Sequence, residues 1–235
     1  MEEKRVKYFS LYGQAIFITN IWYKFYKNCS LICLHENEYT AYESALEICL
    51  CEKIPFTYLK SSGSRNIVFK TQNGSIEIDP NRIWTDKGIE NLLISDKNAN
   101  DVIALLKEIR KTIIGFILDN SINSIISVHN NYNKNFNILA YYHNPVYSYV
   151  AENIHINKNI SSGNFYYVTM RQDFETLKEL NYNVVLQKPY NAFFDDGSLS
   201  IYCSINNIRY INVESNFNDY NIQKQMISKA IELTS

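Results

Sequence analysis

The feature that most restricts the fold of this chain is a short apolar run followed by a helical pattern and a second extended segment. Ser30 to Leu34 is continuous and apolar, which is typical of a strand buried on both faces. The segment 40–52 carries apolar residues at helical spacing, and Pro55 to Leu59 is the next candidate strand. This β-α-β start predicts an α/β fold in which helices cover a mostly parallel or mixed sheet.

The rest of the chain continues the alternation of strands and helices. Asn73-Gly74 lies between two candidate strands and predicts a hairpin. The predicted helices are 100–118, 173–180 and 219–233. The predicted further strands are 66–70, 75–78, 124–128, 183–186, 198–205 and 210–213. Neither a repeat nor a linker-like run divides the sequence, so we expect a single domain over residues 1–235.

Composition excludes several classes of partner. Lys and Arg number 23 against 24 Asp and Glu, so the net charge of -1 offers no basic surface for nucleic acid or an anionic membrane. No window approaches 18 consecutive apolar residues, so we expect no transmembrane helix. The N-terminal segment lacks the uninterrupted apolar region of a signal peptide, and we therefore expect a cytoplasmic protein.

The five cysteines are odd in number and show no CxxC spacing, so we interpret them as small buried residues in a reducing compartment. A cysteine hydrolase is one alternative, because Cys33 lies two positions before His35 and could share its face of a strand. However, Cys33 lies within an apolar run and has no evident base. The chain also lacks a Gly-x-Ser-x-Gly elbow and a Walker A motif.

His35-Glu36-Asn37-Glu38, which directly follows the first buried strand, is a candidate metal-binding motif. If a helix starts here, the side chains of His35 and Glu38 fall on the same side and can reach one ion. The motif is not HExxH, because position 39 is Tyr. The alternative is a helix start whose acidic residues favour the helix dipole without any metal.

His129 directly follows strand 124–128 and is one of only four histidines. A structural, hydrogen-bonded histidine is the alternative at such a position. Yet two of the four histidines close apolar strands, and two His with one Glu form an established catalytic zinc set with room for water. Cobalt, manganese or iron would tolerate the same ligands.

Two further segments carry residue types suited to catalysis. Glu214 closes the apolar strand 210–213, where a carboxylate is costly unless it is solvated, paired or functional. It could serve as a general base or be an ordinary exposed carboxylate. In Asp79-Pro80-Asn81-Arg82, Arg82 could grip a carboxylate or polarise a carbonyl, and Asn81 offers a donor and an acceptor. The alternative is a simple turn.

Taken in order, these segments resemble the succinylglutamate desuccinylase and aspartoacylase branch of the zinc carboxypeptidase superfamily. That branch has His-Gly-Asn-Glu after a strand, then Asp-x-Asn-Arg with an aliphatic and an aromatic residue, then His-Asn, then a catalytic Glu. The corresponding segments here are His35-Glu36-Asn37-Glu38, Asp79-Pro80-Asn81-Arg82-Ile83-Trp84, His129-Asn130 and Glu214.

The resemblance implies an α/β three-layer sandwich around a mixed, roughly eight-stranded sheet, and it implies a role for each residue. The zinc ligands would be His35, Glu38 and His129. Glu214 would act as the general base and then protonate the leaving amine. Arg82 would stabilise the oxyanion or bind a carboxylate. Asn81 and Asn130 would help to bind the substrate.

The sequence departs from this family in two respects. Glu36 replaces the usual Gly and adds a negative charge beside the predicted ligands. Deacylases of this branch usually carry a C-terminal β domain that shapes substrate access, and we expect no counterpart of it within residues 1–235. Three arginines are candidates for a second carboxylate contact, and the sequence does not choose between Arg65, Arg171 and Arg209.

These observations predict a zinc hydrolase that cleaves an amide bond next to a carboxylate. The expected partner is a small acidic peptide, such as a muropeptide, or an N-acylated amino acid, and the missing β domain favours an open cleft and a peptide. The alternative is a non-catalytic module of the same fold that binds zinc or a carboxylate ligand.

Overall fold

A computed structural model describes residues 2–24, 28–71, 74–93, 100–118, 122–132 and 136–234. The strands are β1 (Glu2–Leu11), β2 (Gln14–Tyr23), β3 (Cys29–Cys33), β4 (Phe56–Lys60), β5 (Ile67–Thr71), β6 (Gly74–Ile78), β7 (Ser124–Asn131), β8 (Ala151–His155), β9 (Phe165–Val168), β10 (Val184–Gln187) and β11 (Arg209–Asn216). The helices are α1 (Tyr39–Glu52), α2 (Asp86–Leu93), α3 (Asn100–Ile117), α4 (Ala140–His143), α5 (Pro145–Ser148), α6 (Arg171–Glu179), α7 (Leu199–Ile205) and α8 (Tyr220–Thr234). Short 3-10 turns occupy Pro80–Arg82 and Ala192–Phe194.

Nine of these strands form one mixed sheet, in the order β1-β2-β4-β3-β7-β11-β9-β10-β8. The central strands β4, β3, β7 and β11 are parallel, as expected from strands joined by covering helices. The strands on either side reverse direction, since β2 is antiparallel to β4 and β9 is antiparallel to β11. The remaining strands, β5 and β6, form a separate hairpin.

Helices cover both faces of the large sheet. Buried residues of α1, α6 and α8 pack on one face, and those of α2, α3 and α7 pack on the other. Each face therefore has its own hydrophobic core, and the predicted α/β three-layer sandwich is confirmed. The sheet has nine strands in the part of the chain described, against the roughly eight expected.

The predicted β-α-β start is present as β3, α1 and β4. The predicted helices 100–118, 173–180 and 219–233 correspond to α3, α6 and α8, with ends shifted by up to two residues. The predicted hairpin joins β5 to β6, although Asn73 of its turn lies outside the described residues. Two strands extend further than predicted, so that His129 lies within β7 and Glu214 lies within β11.

The prediction of a strand over 198–205 is wrong, because α7 occupies Leu199–Ile205. A tertiary contact supports this helix at its start: the backbone N–H of Leu199 donates to Asn81 Oδ1, at 3.1 Å. The first N–H groups of a helix have no partner within the helix, so an acceptor from a distant segment stabilises its beginning. Local sequence cannot show that acceptor.

The sequence analysis also missed the long β1–β2 hairpin at one edge of the sheet. Its turn is Tyr12-Gly13, and both residues have positive φ values, 51° and 76°. Such values fit the tight turns that join antiparallel strands with a right-handed twist. Most of β1 is exposed, so this strand lacks the apolar pattern that would have revealed it.

Among the described residues, no helix combines the length and apolar character required to cross a bilayer.

Candidate metal centre and cavity

A tight turn between β3 and α1 brings His35 and Glu38 together. The N–H of Glu38 donates to the carbonyl oxygen of His35 at 3.2 Å, and α1 starts at the next residue, Tyr39. We expected this motif to form the first turn of a helix. It lies instead in the turn that precedes α1. The result is nevertheless the predicted contact, since His35 Nδ1 lies 2.9 Å from Glu38 Oε1.

Neighbouring parallel strands bring His129 beside the first two residues. β7 lies next to β3 in the sheet, and His129 Nδ1 lies 2.9 Å from Glu38 Oε2 and 3.1 Å from His35 Nδ1. One ligand atom from each of the three residues falls within 4.8 Å of the others, and all three side chains are buried. His35, Glu38 and His129 together can hold a metal ion, because buried imidazole and carboxylate groups that converge are the usual ligands of transition metals.

The outward nitrogen of each histidine has its own orienting partner. His35 Nε2 lies 2.8 Å from Asp79 Oδ1, and His129 Nε2 lies 3.0 Å from Ser127 Oγ. Partners of this kind fix the ring orientation of metal-ligating histidines, so both Nδ1 atoms are held towards the shared centre. Asp79 was part of a motif noted in the sequence, but its role in orienting His35 was not predicted.

The electrostatics of the cluster are dominated by its carboxylates. Burial alone lowers the pKa of His35, but the charges of Glu38 and Asp79 outweigh it and raise this pKa to about 9. Burial opposes ionisation of Glu38 and Asp79, yet the neighbouring histidines hold the pKa of each carboxyl well below its usual range. Both carboxylates are thus ionised at neutral pH, which suits a site for a cation.

Glu214 lies next to His129, since these two residues are register partners on the parallel strands β11 and β7. Its side chain is 6% exposed and lines a cavity. Oε1 accepts a hydrogen bond from Asn212 Nδ2 at 3.1 Å, whereas Oε2 has no partner among the described residues. Burial raises the pKa of Glu214, and the charge of Glu38 adds to this effect. A raised pKa makes the carboxylate a stronger base.

Of the three candidate arginines, the structure places Arg65 at this site. Its Nη1 lies 2.5 Å from Glu38 Oε1, and its Nη2 lies 3.6 Å from Asp79 Oδ2. Arg171 instead pairs with Glu152 on the surface, and Arg209 pairs with Asp173. Because Arg171 and Arg209 pair elsewhere, Arg65 is the one of these three arginines that contacts the candidate metal ligands.

Glu36, the departure from the family pattern, anchors the loop that carries Arg65. Its Oε2 accepts hydrogen bonds from the backbone N–H groups of Ser61 and Gly63, at 2.6 and 2.7 Å. The side chain is therefore engaged with this loop, and it is not among the residues that line the cavity.

Arg82 and Asn81 also line the cavity, where a second loop holds them. Arg82 Nη2 lies 3.6 Å from Asp196 Oδ2, and Asn81 uses its side-chain oxygen to support α7. Gly197 makes this packing possible, because a Cβ there would lie 2.3 Å from the carbonyl oxygen of Arg82 and its φ is +76°. The segment around Gly197 therefore shapes the cavity wall, to which it contributes Asp196, Ser198 and Ser200.

Asn130 combines a structural contact with a free donor. Its Oδ1 accepts a hydrogen bond from the N–H of Ala41 in the first turn of α1, at 3.1 Å. Its Nδ2 is buried without a partner among the described residues, and the side chain lines the cavity. The predicted role in substrate binding thus remains available to Nδ2.

Cys33 does not fit the role of a nucleophile. Its side chain is buried, and its thiol donates to the carbonyl oxygen of His35 at 3.8 Å. Burial and the nearby Glu38 charge both raise the pKa of this thiol, which disfavours the reactive thiolate. The five cysteines, all in the described part of the chain, form no disulfide bond, and Cys51 is exposed while the other four are buried.

The cavity beside the metal cluster has a volume of about 450 Å³. It is bordered at one end by Glu38, His129 and Glu214, and it also includes Gln187 from β10. An aromatic wall, defined by Phe136, Tyr141, Tyr147 and Tyr167, lines another side. Sequence reasoning identified neither Gln187 nor this wall, because no local motif marks residues that converge from separate segments.

Comparisons with known proteins do not assign the chain to a family. No protein-family model and no curated protein matches the sequence. Among solved structures, the crystal structure of LapA from Legionella matches with a TM-score of 0.41 and 9% identity. That match covers 99% of this chain, which spans about 60% of the LapA chain.

The contact between Asp79 and His35 leads to a first prediction. Replacing Asp79 by Asn should weaken metal binding by about 10- to 100-fold, because a neutral amide orients the imidazole less firmly. The measurement is a competition titration against a chromogenic chelator. Asp195→Asn is the matched control, since Asp195 is also buried but bonds Thr85 and Gly197 away from the metal cluster. Equal affinity in the Asp79 variant and in this control would contradict the assigned role.

Proposed function

We propose that this protein is a zinc-dependent hydrolase that cleaves an amide or peptide bond next to a carboxylate in a small peptide-like substrate. The observation that carries the proposal is the position of Glu214, which lies beside His129 in register with one carboxylate oxygen unpartnered at the cavity. A metal-binding group, a buried carboxylate base and a cavity adjoin one another, as such a reaction requires. The ordered motifs support placing the chain near the desuccinylase and aspartoacylase branch.

The ligand set fits zinc. Zinc is commonly held by imidazole nitrogen and carboxylate oxygen. The two Nδ1 atoms lie 3.1 Å apart, and Glu38 directs Oε1 towards His35 and Oε2 towards His129, each at 2.9 Å. Two histidines and one glutamate leave a further position for water or substrate. A zinc ion held there would act as a Lewis acid, lowering the pKa of water to about 7 and polarising the scissile carbonyl.

The protein's own residues would carry the proton transfers. Glu214 would take a proton from the attacking water at Oε2, its unpartnered oxygen. The same carboxyl would then deliver that proton to the nitrogen of the leaving amine as the amide bond breaks. The raised pKa of Glu214 favours this return of the proton.

Charged and amide groups around the cavity would position the substrate. Arg82 is partly exposed at the cavity, where its guanidinium lies 3.6 Å from Asp196 and donates to the carbonyl oxygen of Asn81. It can therefore bind the substrate carboxylate or stabilise the developing oxyanion. Arg65 supplies a second positive charge, and Asn130 Nδ2 is a free donor for a carbonyl oxygen.

The proposal is tested by incubating zinc-loaded protein with N-acetyl amino acids and short peptides that end in a free carboxylate. We expect new primary amine to appear, and we expect amide-capped versions of the same substrates to react much more slowly. Chelator-treated protein is the control for metal dependence. Absence of turnover with every substrate, despite bound zinc, would contradict the hydrolase and favour a module that binds zinc or a carboxylate.

A further inference from the structure

Gln187 is the most unusual polar side chain around the cavity. It is the last residue of β10, is 4% exposed and lines the cavity. Neither its Nε2 nor its Oε1 has a hydrogen-bond partner among the described residues. Its amide therefore presents one unused donor group and one unused acceptor side by side.

A buried amide without hydrogen bonds destabilises the folded protein unless another molecule supplies the missing partners. A buried amide without partners loses its hydration and gains nothing in return, so native proteins rarely retain one. A group that satisfies both atoms at once must itself offer an acceptor and a donor. The N–H and C=O of one peptide residue in an extended conformation meet this requirement.

The sheet shows that Gln187 lies well away from the metal cluster but on the same cavity. β7, β11, β9 and β10 are consecutive in the sheet, with His129 on the first and Gln187 on the last. Asn212 pairs with Tyr167 and Tyr167 pairs with Val185, two residues before Gln187. Three strand spacings separate β7 from β10 by about 14 Å. Because β9 and β10 run opposite to β7 and β11, His129 and Gln187 also lie on opposite sides of this row, which lengthens the separation.

A ligand that reaches from the metal cluster to Gln187 must therefore be elongated. An extended chain covers about 3.3–3.6 Å per residue, so the roughly 14 Å across the strands alone corresponds to about four residues. A single N-acylated amino acid is too short to contact both ends. The aromatic wall along this path suits a peptide, because Tyr141 lies 5.6 Å from both Tyr147 and Tyr167 by ring centroids and offers continuous apolar surface.

We propose that Gln187 is a specificity-determining residue that pairs with the N–H and C=O of one backbone residue of an extended peptide, of about four residues or more, bound along this cavity. The inference rests on the proposed function for the position of the scissile bond, but peptide binding itself does not require turnover. The pairing with Gln187 would favour peptides over N-acylated single amino acids among the substrates considered above.

The test measures binding rather than hydrolysis, so that its failure can be told apart from failure of the hydrolase proposal. Glu214→Gln protein loaded with zinc is titrated calorimetrically with acetyl-tetra-alanine and with acetyl-alanine, both with free carboxylates. The same titrations use the double variant Glu214→Gln, Gln187→Leu, in which a side chain of similar size lacks the amide. Gln172→Leu, on the exposed surface of α6, is the matched control.

We expect the peptide to bind more tightly than acetyl-alanine, and we expect Gln187→Leu to weaken peptide binding by about 5- to 150-fold without changing acetyl-alanine binding. The thermal midpoint of Gln187→Leu should be equal or higher, because two unpartnered polar atoms are removed. If solvent alone satisfied the amide, both probes would bind the variant as they bind the parent. That result, equal weakening of both probes, or no preference for the peptide would overturn the proposal.

Discussion

Replacing Glu214 by Gln is expected to lower kcat by about 10²- to 10⁴-fold, the contribution typical of a positioned general base. Gln has the same shape and can still accept the hydrogen bond from Asn212, but it cannot take a proton from water. Zinc content should be unchanged, because Glu214 is not among the three converging ligand residues. The measurement is steady-state hydrolysis of the best substrate found in the screen described above.

Two controls separate catalysis from folding in this experiment. Glu232→Gln removes an exposed carboxylate that pairs with Lys229 on the surface of α8, and it should retain full activity. The thermal midpoint of Glu214→Gln should equal or exceed that of the wild type, because a buried charge has been removed. Full activity of Glu214→Gln would exclude this residue as the base.

Zinc should raise the thermal midpoint of the metal-free protein by about 8–16 °C when its free concentration is about a thousand times the dissociation constant. Binding to the folded state alone contributes about 4 kcal/mol under these conditions. For a chain of this size, each kcal/mol raises the midpoint by about 2–4 °C. Differential scanning calorimetry after chelator treatment, with and without zinc, measures the effect.

The zinc effect should depend on pH in a defined direction. His35 carries a proton up to a pKa of about 9, and it must lose that proton to bind a metal. Zinc affinity should therefore rise by up to about tenfold per pH unit between pH 6 and 8, where the bound proton competes with zinc.

Magnesium prefers oxygen ligands and should produce little shift of the thermal midpoint. A zinc shift that survives in the variant carrying both His35→Ala and His129→Ala would place the metal elsewhere.

The candidate metal ligands could be predicted from the sequence because His35 and His129 directly follow strongly apolar strands. The runs before His35 and His129 mark central strands, and parallel central strands bring their carboxyl ends to one edge of a sheet. Glu214 follows by the same rule, since β11 is parallel to β7 and in register with it. The proximity of these residues is thus a consequence of strand order.

What the sequence could not predict depends on contacts between distant segments. α7 was assigned as a strand because its apolar residues fit either period, and the deciding acceptor, Asn81, lies 118 residues earlier. Arg65 could not be distinguished from Arg171 and Arg209, because the Glu36 contacts that hold its loop join a side chain to backbone groups 25 and 27 residues later, beyond α1 and β4. Gln187 ends an ordinary apolar strand, and only the cavity distinguishes it from a surface amide.

The role of Asp79 illustrates a third limit. The motif Asp79-Pro80-Asn81-Arg82 was recognised in the sequence. However, an aspartate at its first position is compatible both with a turn and with the orientation of a histidine. In the structure it serves both, since Oδ1 accepts from the N–H of Asn81 at 2.7 Å and also contacts His35 Nε2 at 2.8 Å. The sequence pattern showed only the first of these contacts, because the second crosses from β3 to the loop after β6.

The most direct test of the metal centre is the metal content of purified protein after incubation with zinc and extensive dialysis, measured by elemental analysis. We expect about one zinc ion per chain in the wild type and almost none in the His35→Ala, His129→Ala double variant. Retention of no zinc by the wild type, or of equal zinc by both proteins, would contradict the assignment of His35, Glu38 and His129 as a metal centre.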